Sequence, residues 1–413
     1  MHGTLALSHR ALSDLAGVVG EEELDRLRAL ARPIEGLRVL HLSVSRFGTG
    51  TADLLDSAVP LLSDLGIDAH WQIVRASEDC IALHRAMYQA LGGIYVTWTK
   101  EMTDNWLSHA QMNAEMLTDD YDVVIVHDPQ PLAIRSYLPD GATKWIMDCH
   151  LDLTSAQTDV WMLVRAHVEK YDRAIFPAPN FARPDVPIPT QIVAPAIDPN
   201  SARNMPLPES VMRDVLGQYG IDPDRPMICQ ISPCDEASDL CGAVDVWEIV
   251  RKRYPDLQLA MVLTTEPHDP AERACYERLA DRCRDEPNVK IVPVGAPLGN
   301  VEFNVLQRAA SVVIQRGLRK GFGLWVSDAL WKERPCVVAP AGGLTEQVID
   351  EQTGLVATTT EEFAAAIERL LGDQSLAKKL GENGRRHVAD HFLITRYLRD
   401  YLKILNDLHR TAL

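Results

Sequence analysis

From Leu37 onward the chain writes one pattern twice: a short apolar run ends in small or polar residues, and a longer amphipathic segment follows. Parallel strands cannot be joined by a tight turn, so each needs a crossover, and a helix is the usual one. The alternation therefore predicts an α/β fold of two doubly wound sheets. In the first half the apolar runs fall at 37–44, 70–74, 122–127, 144–149 and 173–176, with helical segments at 52–65 and 157–169. In the second they fall at 227–232, 258–263, 289–292, 311–315 and 336–338, with helical segments at 242–254, 270–285, 301–309, 324–331 and 345–350. Between the halves, 176–208 is dense in proline, which reads as a linker without regular structure. The segments are then 1–195, 205–390 and a helical end, 391–413, that packs back on the first half. Ligands of open parallel sheets sit beyond the carboxyl ends of the strands, which makes the space between the halves the expected site.

Charge and cysteine narrow the function. With 41 basic and 58 acidic residues the net charge is −17, and no basic run interrupts it, which argues against nucleic acid or an anionic membrane as partner. No stretch approaches the ~18 uninterrupted apolar residues of a membrane span, and Met1 to Ala16 lacks a basic end followed by an apolar core. The expectation is a cytoplasmic protein. Eight cysteines lie scattered without a Cys-x-x-Cys pair, as reduced thiols do. The helical tail allows a homodimer without requiring one.

Two glycine loops follow strands and open helices. Gly321-Phe322-Gly323-Leu324, preceded by Arg319-Lys320, can bring backbone amides and a helix N-terminus to a phosphate, or can simply pack strand against helix. Asp328, eight residues beyond Lys320, is placed to address the sugar end of the same nucleotide. Gly48-Thr49-Gly50 lacks the third glycine of the dinucleotide fingerprint, since Asp53 stands there, and reads equally as a turn. Strand ends deliver His127-Asp128-Pro129-Gln130 and His150-Leu151-Asp152, where a histidine is either structural or catalytic. No Gly-x-Ser-x-Gly, His-Glu-x-x-His or Walker loop is present. Asp120-Tyr121-Asp122 has the spacing of a metal-binding Asp-x-Asp pair but reads as the lead-in to a strand.

These motifs resemble the GT-B glycosyltransferases of family 4, and within them the trehalose glycosyltransferring synthases. The resemblance rests on His127-Asp128-Pro129-Gln130-Pro131, Cys149-His150-Leu151-Asp152-Leu153, Ala196-Ile197-Asp198-Pro199, Gly321-Phe322-Gly323-Leu324, Ala329-Leu330-Trp331-Lys332 and Gly342-Gly343. It implies a retaining transfer of sugar from a nucleotide donor such as a UDP-, GDP- or ADP-sugar, with no cofactor and no metal. It implies His150 at the reacting centre and His127, Asp128, Gln130 and Asp152 on the acceptor side. Gly48, Thr49, Gly50, the Arg319 to Leu324 loop and Asp328 then hold the donor, with Gly295, Ala296 and Pro297 at the base.

The departures are chemical. The resemblance places a Glu where Lys320 stands, another at Asp328, and an Arg and a Lys at Pro233 and Ser238. Losing two cations beside a diphosphate forfeits contacts worth about 1.5–3 kcal/mol each. Lys320 and Arg319 are the expected replacements. An ammonium cannot accept hydrogen bonds from sugar hydroxyls, so an ordinary nucleotide-glucose donor fits poorly. The expectation is an unusual sugar moved onto a small sugar, aminocyclitol or thiol in natural-product-type metabolism. The other readings are a silent pseudo-glycosyltransferase acting as a partner subunit and, with the least support, a phosphosugar epimerase or phosphorylase.

Overall fold

The computed structural model describes residue 5 and residues 7–46, 50–117, 120–264, 270–294, 299–317 and 321–412. The chain divides into two compact units, Met1–Ala196 with Ile394–Leu413, and Ile197–Leu393. Each is built on a six-stranded sheet whose paired strands run parallel.

In the first unit β1 (Arg38–Ser43), β2 (Asp68–Ile73), β3 (Val123–His127), β4 (Lys144–Asp148), β5 (Arg173–Phe176) and β6 (Thr190–Ile192) lie in the order β2-β1-β3-β4-β5-β6. The expected helices appear as Gly50–Asp64 and Thr158–Val168. Two further helices, Glu78–Leu91 and Lys100–Met116, lie between β2 and β3; each begins at a hydroxyl cap, Ser77 accepting from the Cys80 amide and Thr99 from that of Met102. β6 corrects the reading of 176–208 as devoid of regular structure. Flanked by Pro189 and Pro195, it occupies the sheet edge, where a missing amide donor is tolerated.

The terminal helix Ile394–Ala412 explains one face of this sheet. Ile394, Tyr397, Leu398, Tyr401, Leu402, Leu405 and Leu408 recur at helical spacing and join Val39, Ile125 and Ile146 in one buried cluster. Because side chains alternate along a strand, His41, His127 and Asp148 share that face, two residues on from Val39, Ile125 and Ile146.

In the second unit β7 (Met227–Pro233), β8 (Gln258–Thr264), β9 (Val289–Val294), β10 (Val312–Gln315), β11 (Cys336–Val338) and β12 (Leu355–Val356) lie in the order β12-β11-β10-β7-β8-β9. The sequence reading missed β12, two residues long, and the helix Glu209–Gln218. Helices Leu240–Val250, Pro270–Arg282, Asn300–Ala309, Leu324–Trp331, Thr360–Gly372 and Gln374–His391 complete the crossovers and the helical tail of the unit. In both sheets the chain reverses its lateral direction beside the first strand, between β1 and β3 and between β7 and β10, where open α/β sheets place ligands.

Candidate active site

At the first reversal point the strands themselves bring the polar groups together. His127 ends β3 and pairs in register with Asp148, which ends β4. His127 is 1 % and Asp148 2 % exposed, and His41 on β1 is sealed completely. His41 Nδ1 lies 2.9 Å from His127 Nε2, and His127 Nδ1 lies 3.3 Å from His150 Nε2, so the three imidazoles form a chain across the sheet. Their rings stack within about 15° of parallel. Asp148 Oδ2 lies 3.5 Å from His127 and 3.6 Å from His150, and it accepts a short hydrogen bond from the Tyr401 hydroxyl of the terminal helix. Burial pushes His41 down to about 3 and His127 well below the usual imidazole range, and pushes the Asp148 carboxyl up.

The neighbouring loops set His150 in place. Asp128 adopts φ 64, a left-handed conformation that Asp and Asn enter more readily than most other non-glycine residues. Its carboxylate accepts the His150 amide at 2.9 Å and the Thr51 hydroxyl at 3.4 Å, joining the start of helix Gly50–Asp64 to the ends of β3 and β4. Loss of water raises the Asp128 pKa. Asp152 spends one oxygen on Thr154, 2.9 Å from its amide. Gln130 is buried with Oε1 unpartnered. Of the predicted site residues, then, His127 is interior and shielded from solvent, while His150 keeps 16 % of its side chain exposed. Asp122 of the Asp-x-Asp sequence accepts the Arg38 amide at 2.8 Å, at the opposite end of β3. Sequence reasoning missed His41, Asp148, Tyr397 and Tyr401. The available signal was a polar residue at the inward-facing position of an otherwise apolar strand.

In the second unit the glycine loop has the geometry a close approach requires. Gly323 caps helix Leu324–Trp331 with φ 77, and a Cβ there would stand 2.9 Å from Leu344 Cδ2. Gln347 pins the loop: its amide nitrogen donates to the carbonyls of Phe322 and Gly343, and its oxygen accepts the Ser327 amide at 2.9 Å. Phe322 is buried against Phe392. Asp328 is 1 % exposed and accepts from Asn204 Nδ2 at 2.7 Å, with Arg203 Nη1 3.8 Å away. Lys332, one turn on, donates to Asn204 Oδ1 and Gln307 Oε1, both at 2.8 Å, and to the Asp328 carbonyl at 3.0 Å. The loop after β7 is closed on itself. The Ser238 hydroxyl donates to the Pro233 carbonyl at 2.8 Å and meets Asp235, while Asp239 holds Arg316 at 2.7 Å. Gly48, Thr49, Gly295, Ala296, Pro297, Arg319 and Lys320 lie outside the described residues. Gly50 opens its helix and is exposed.

Two family models divide the chain where its strands do. Residues 41–183 match the trehalose synthase N-terminal domain, and residues 213–387 match glycosyl transferases group 1. A trehalose synthase from Pyrococcus horikoshii is 30 % identical over 402 residues, 97 % of either chain, and one from Rubrobacter xylanophilus is 33 % identical over 403 residues, 96 % of either. The chain belongs to the trehalose synthase family. It is a glycosyltransferase with the GT-B fold, and solved structures share that fold at low identity. A sucrose-phosphate synthase from Thermosynechococcus elongatus superposes with TM-score 0.70 at 17 % identity, over 91 % of this chain and all of that one. The E. coli trehalose-6-phosphate protein bound with UDP-2-fluoro glucose superposes with TM-score 0.69 at 15 % identity, over 90 % of this chain and 98 % of that one. For this trehalose synthase relative, the first family model spans His41 to Asp152 and the second spans the glycine loop and Asp328. Among the described residues no helix is long and apolar enough to cross a membrane.

Proposed function

We propose that this glycosyltransferase draws on a nucleotide-sugar donor held by the second unit and transfers the sugar, with retention, to a small acceptor held at His150 of the first. The donor phosphate takes the acceptor proton, and His150 holds the acceptor or the reacting centre by hydrogen bonding. Asp128, Gln130 and Asp152 line the acceptor side. The sugar departs from glucose and the acceptor is a sugar, an aminocyclitol or a thiol of natural-product-type metabolism in the cytoplasm.

The observation that supports the altered donor site is the loop after β7. Pro233 and Ser238 stand where the family resemblance expects cations, and the Ser238 hydroxyl is spent on Pro233 and Asp235 rather than left for a ligand. Asp239 occupies Arg316. The diphosphate charge must then be met elsewhere, and Arg319 and Lys320 beside the Gly323 helix start supply it in this reading.

A thermal-shift titration with UDP, GDP, ADP and dTDP tests it, with Lys320→Glu alongside. One nucleotide raises the melting temperature by mass action, and the variant binds it about 10–100-fold more weakly, the worth of one charge-assisted contact. Equal or tighter binding by the variant removes Lys320 from the phosphate site. No shift with any nucleotide overturns the transfer reading in favour of a silent relative.

A further inference from the structure

All eight cysteines are free, and Cys241 alone is exposed. A buried thiol is ordinarily a small apolar group, held by its surroundings in the neutral, unreactive form. Burial pushes Cys80 and Cys283 up to about 11 and Cys229 up to about 12, and Cys149, Cys241 and Cys336 rise with them. Cys275 has different neighbours.

Two contacts fasten the loop after β7 to the helix Pro270–Arg282. Cys234 Sγ donates to the Glu272 carbonyl at 3.6 Å, and Glu236 pairs with Arg278 at 3.0 Å. Glu272, Cys275 and Arg278 follow one another at three-residue spacing along one face of the helix. Cys275 therefore stands midway between the two contacts, and its thiol meets that of Cys234 in a hydrogen bond. Both cysteines join one buried cluster with Leu263 and Leu279. Cys234 is sealed from solvent, whereas Cys275 is 8 % exposed. The hydrogen bond from Cys234, with the Arg278 charge behind it, draws the Cys275 thiol below its ordinary range against the pull of burial, and the same bond pushes Cys234 up. The pair thus joins a thiol inclined to ionise to one that keeps its proton.

We propose that Cys234 and Cys275 form a redox-modification site, at which a hydroperoxide converts the two thiols into one intrachain disulfide. The Cys275 thiolate attacks the peroxide: a sulfur–oxygen bond forms as the oxygen–oxygen bond breaks, and the departing oxygen takes a proton from water. The Cys234 sulfur then attacks the sulfenic sulfur of Cys275, and the oxygen leaves as water with the Cys234 proton. The two sulfurs have lost two electrons and the peroxide has gained them. Thiols already in contact close to a bond of about 2.05 Å by small side-chain rotations. The bond locks the loop that runs from Pro233 to Ser238 onto the helix, and a dithiol reverses it. The site lies within the second unit and does not rest on the donor reading.

The test needs no substrate. Full-length protein carries Cys241→Ser, which removes the exposed thiol that would otherwise link chains. Hydrogen peroxide is added at neutral pH, remaining thiols are counted in denaturant, and peptide mapping by mass spectrometry locates the bond. The expected result is a fall from seven thiols to five, a cross-linked peptide joining Cys234 to Cys275, and recovery of all seven on reduction with dithiothreitol. In Cys234→Ser the sulfenic acid has no partner, and dimedone labels it at Cys275. Seven thiols retained, a bond from either cysteine to another one, or no dimedone label at Cys275 each overturns the site. Circular dichroism establishes that each variant is folded, and Cys234→Ala replaces Cys234→Ser if the latter is not. Nucleotide shifts read separately, so failure here leaves the transfer reading standing.

Discussion

Two buried charged side chains, Lys332 in the second unit and Asp148 in the first, are treated differently. Lys332 in the second unit is 5 % exposed, and its three donors meet three acceptors at 2.8, 2.8 and 3.0 Å. Asp148 in the first is 2 % exposed, accepts from the Tyr401 hydroxyl with Tyr397 beside it, and stands 3.5 and 3.6 Å from its two imidazoles. The ammonium is complete without a ligand. It fastens Asn204 and Gln307 to the helix that carries Asp328. The carboxylate has no Lys or Arg among its described partners, which are tyrosine and imidazole side chains.

The comparison breaks first at Lys332. Lys332→Met strips the donor from Asn204, Gln307 and the Asp328 carbonyl, and leaving such groups orphaned costs about 1–3 kcal/mol apiece before relaxation. A loss of about 2–5 kcal/mol in urea unfolding is expected. Asp148→Asn is isosteric and still accepts from Tyr401, so it changes stability by less than about 1 kcal/mol. Equal losses in the two variants would mean that both charges are scaffold.

The next effect belongs to the terminal helix. Tyr401→Phe deletes the hydroxyl donor to Asp148 and leaves the carboxylate without it, a charged hydrogen bond worth about 1.5–3 kcal/mol. In the Asp148→Asn background the same change falls to about 0.5–1.5 kcal/mol, the ordinary neutral value. A double-mutant cycle in urea measures the difference, and a coupling of zero would show that Tyr401 stabilises the first unit by packing with Tyr397 alone.

Strand positions were legible because parallel strands buried on both faces are written as unbroken apolar runs. β5 and β11 fall where the runs fall, at Arg173–Phe176 and Cys336–Val338. The two-residue β12 carries too little sequence to show a period, and β6 hides among prolines that only an edge permits. The sequence also pointed to His127 and His150, since both follow apolar strands. It did not point to Tyr401, 253 positions from Asp148, because no local pattern says which helix returns to cover which sheet. Asp328 was legible as a helix residue eight beyond Lys320, while its bond to Asn204, 124 positions away, was not.

The last effect is the one that pH reports. Burial pushes Lys332 down to about 7 against the pull of the Asp328 carboxylate, well below its ordinary value of 10.5. Between those values the unfolded chain holds a proton at Lys332 that the folded chain has released, so stability rises with pH across the window. Below about pH 7 both states are protonated and the contribution is flat at its least favourable. The slope reaches at most about 1.4 kcal/mol per pH unit near the middle of the window. Other groups titrate there too, but Lys332→Met removes this one alone. The gap between the parent and the variant in urea unfolding is therefore expected to widen from pH 7 to pH 9. A constant gap would mean that the ammonium stays charged when folded, its three acceptors outweighing burial. Lys332 would then be a fixed cation under Asp328.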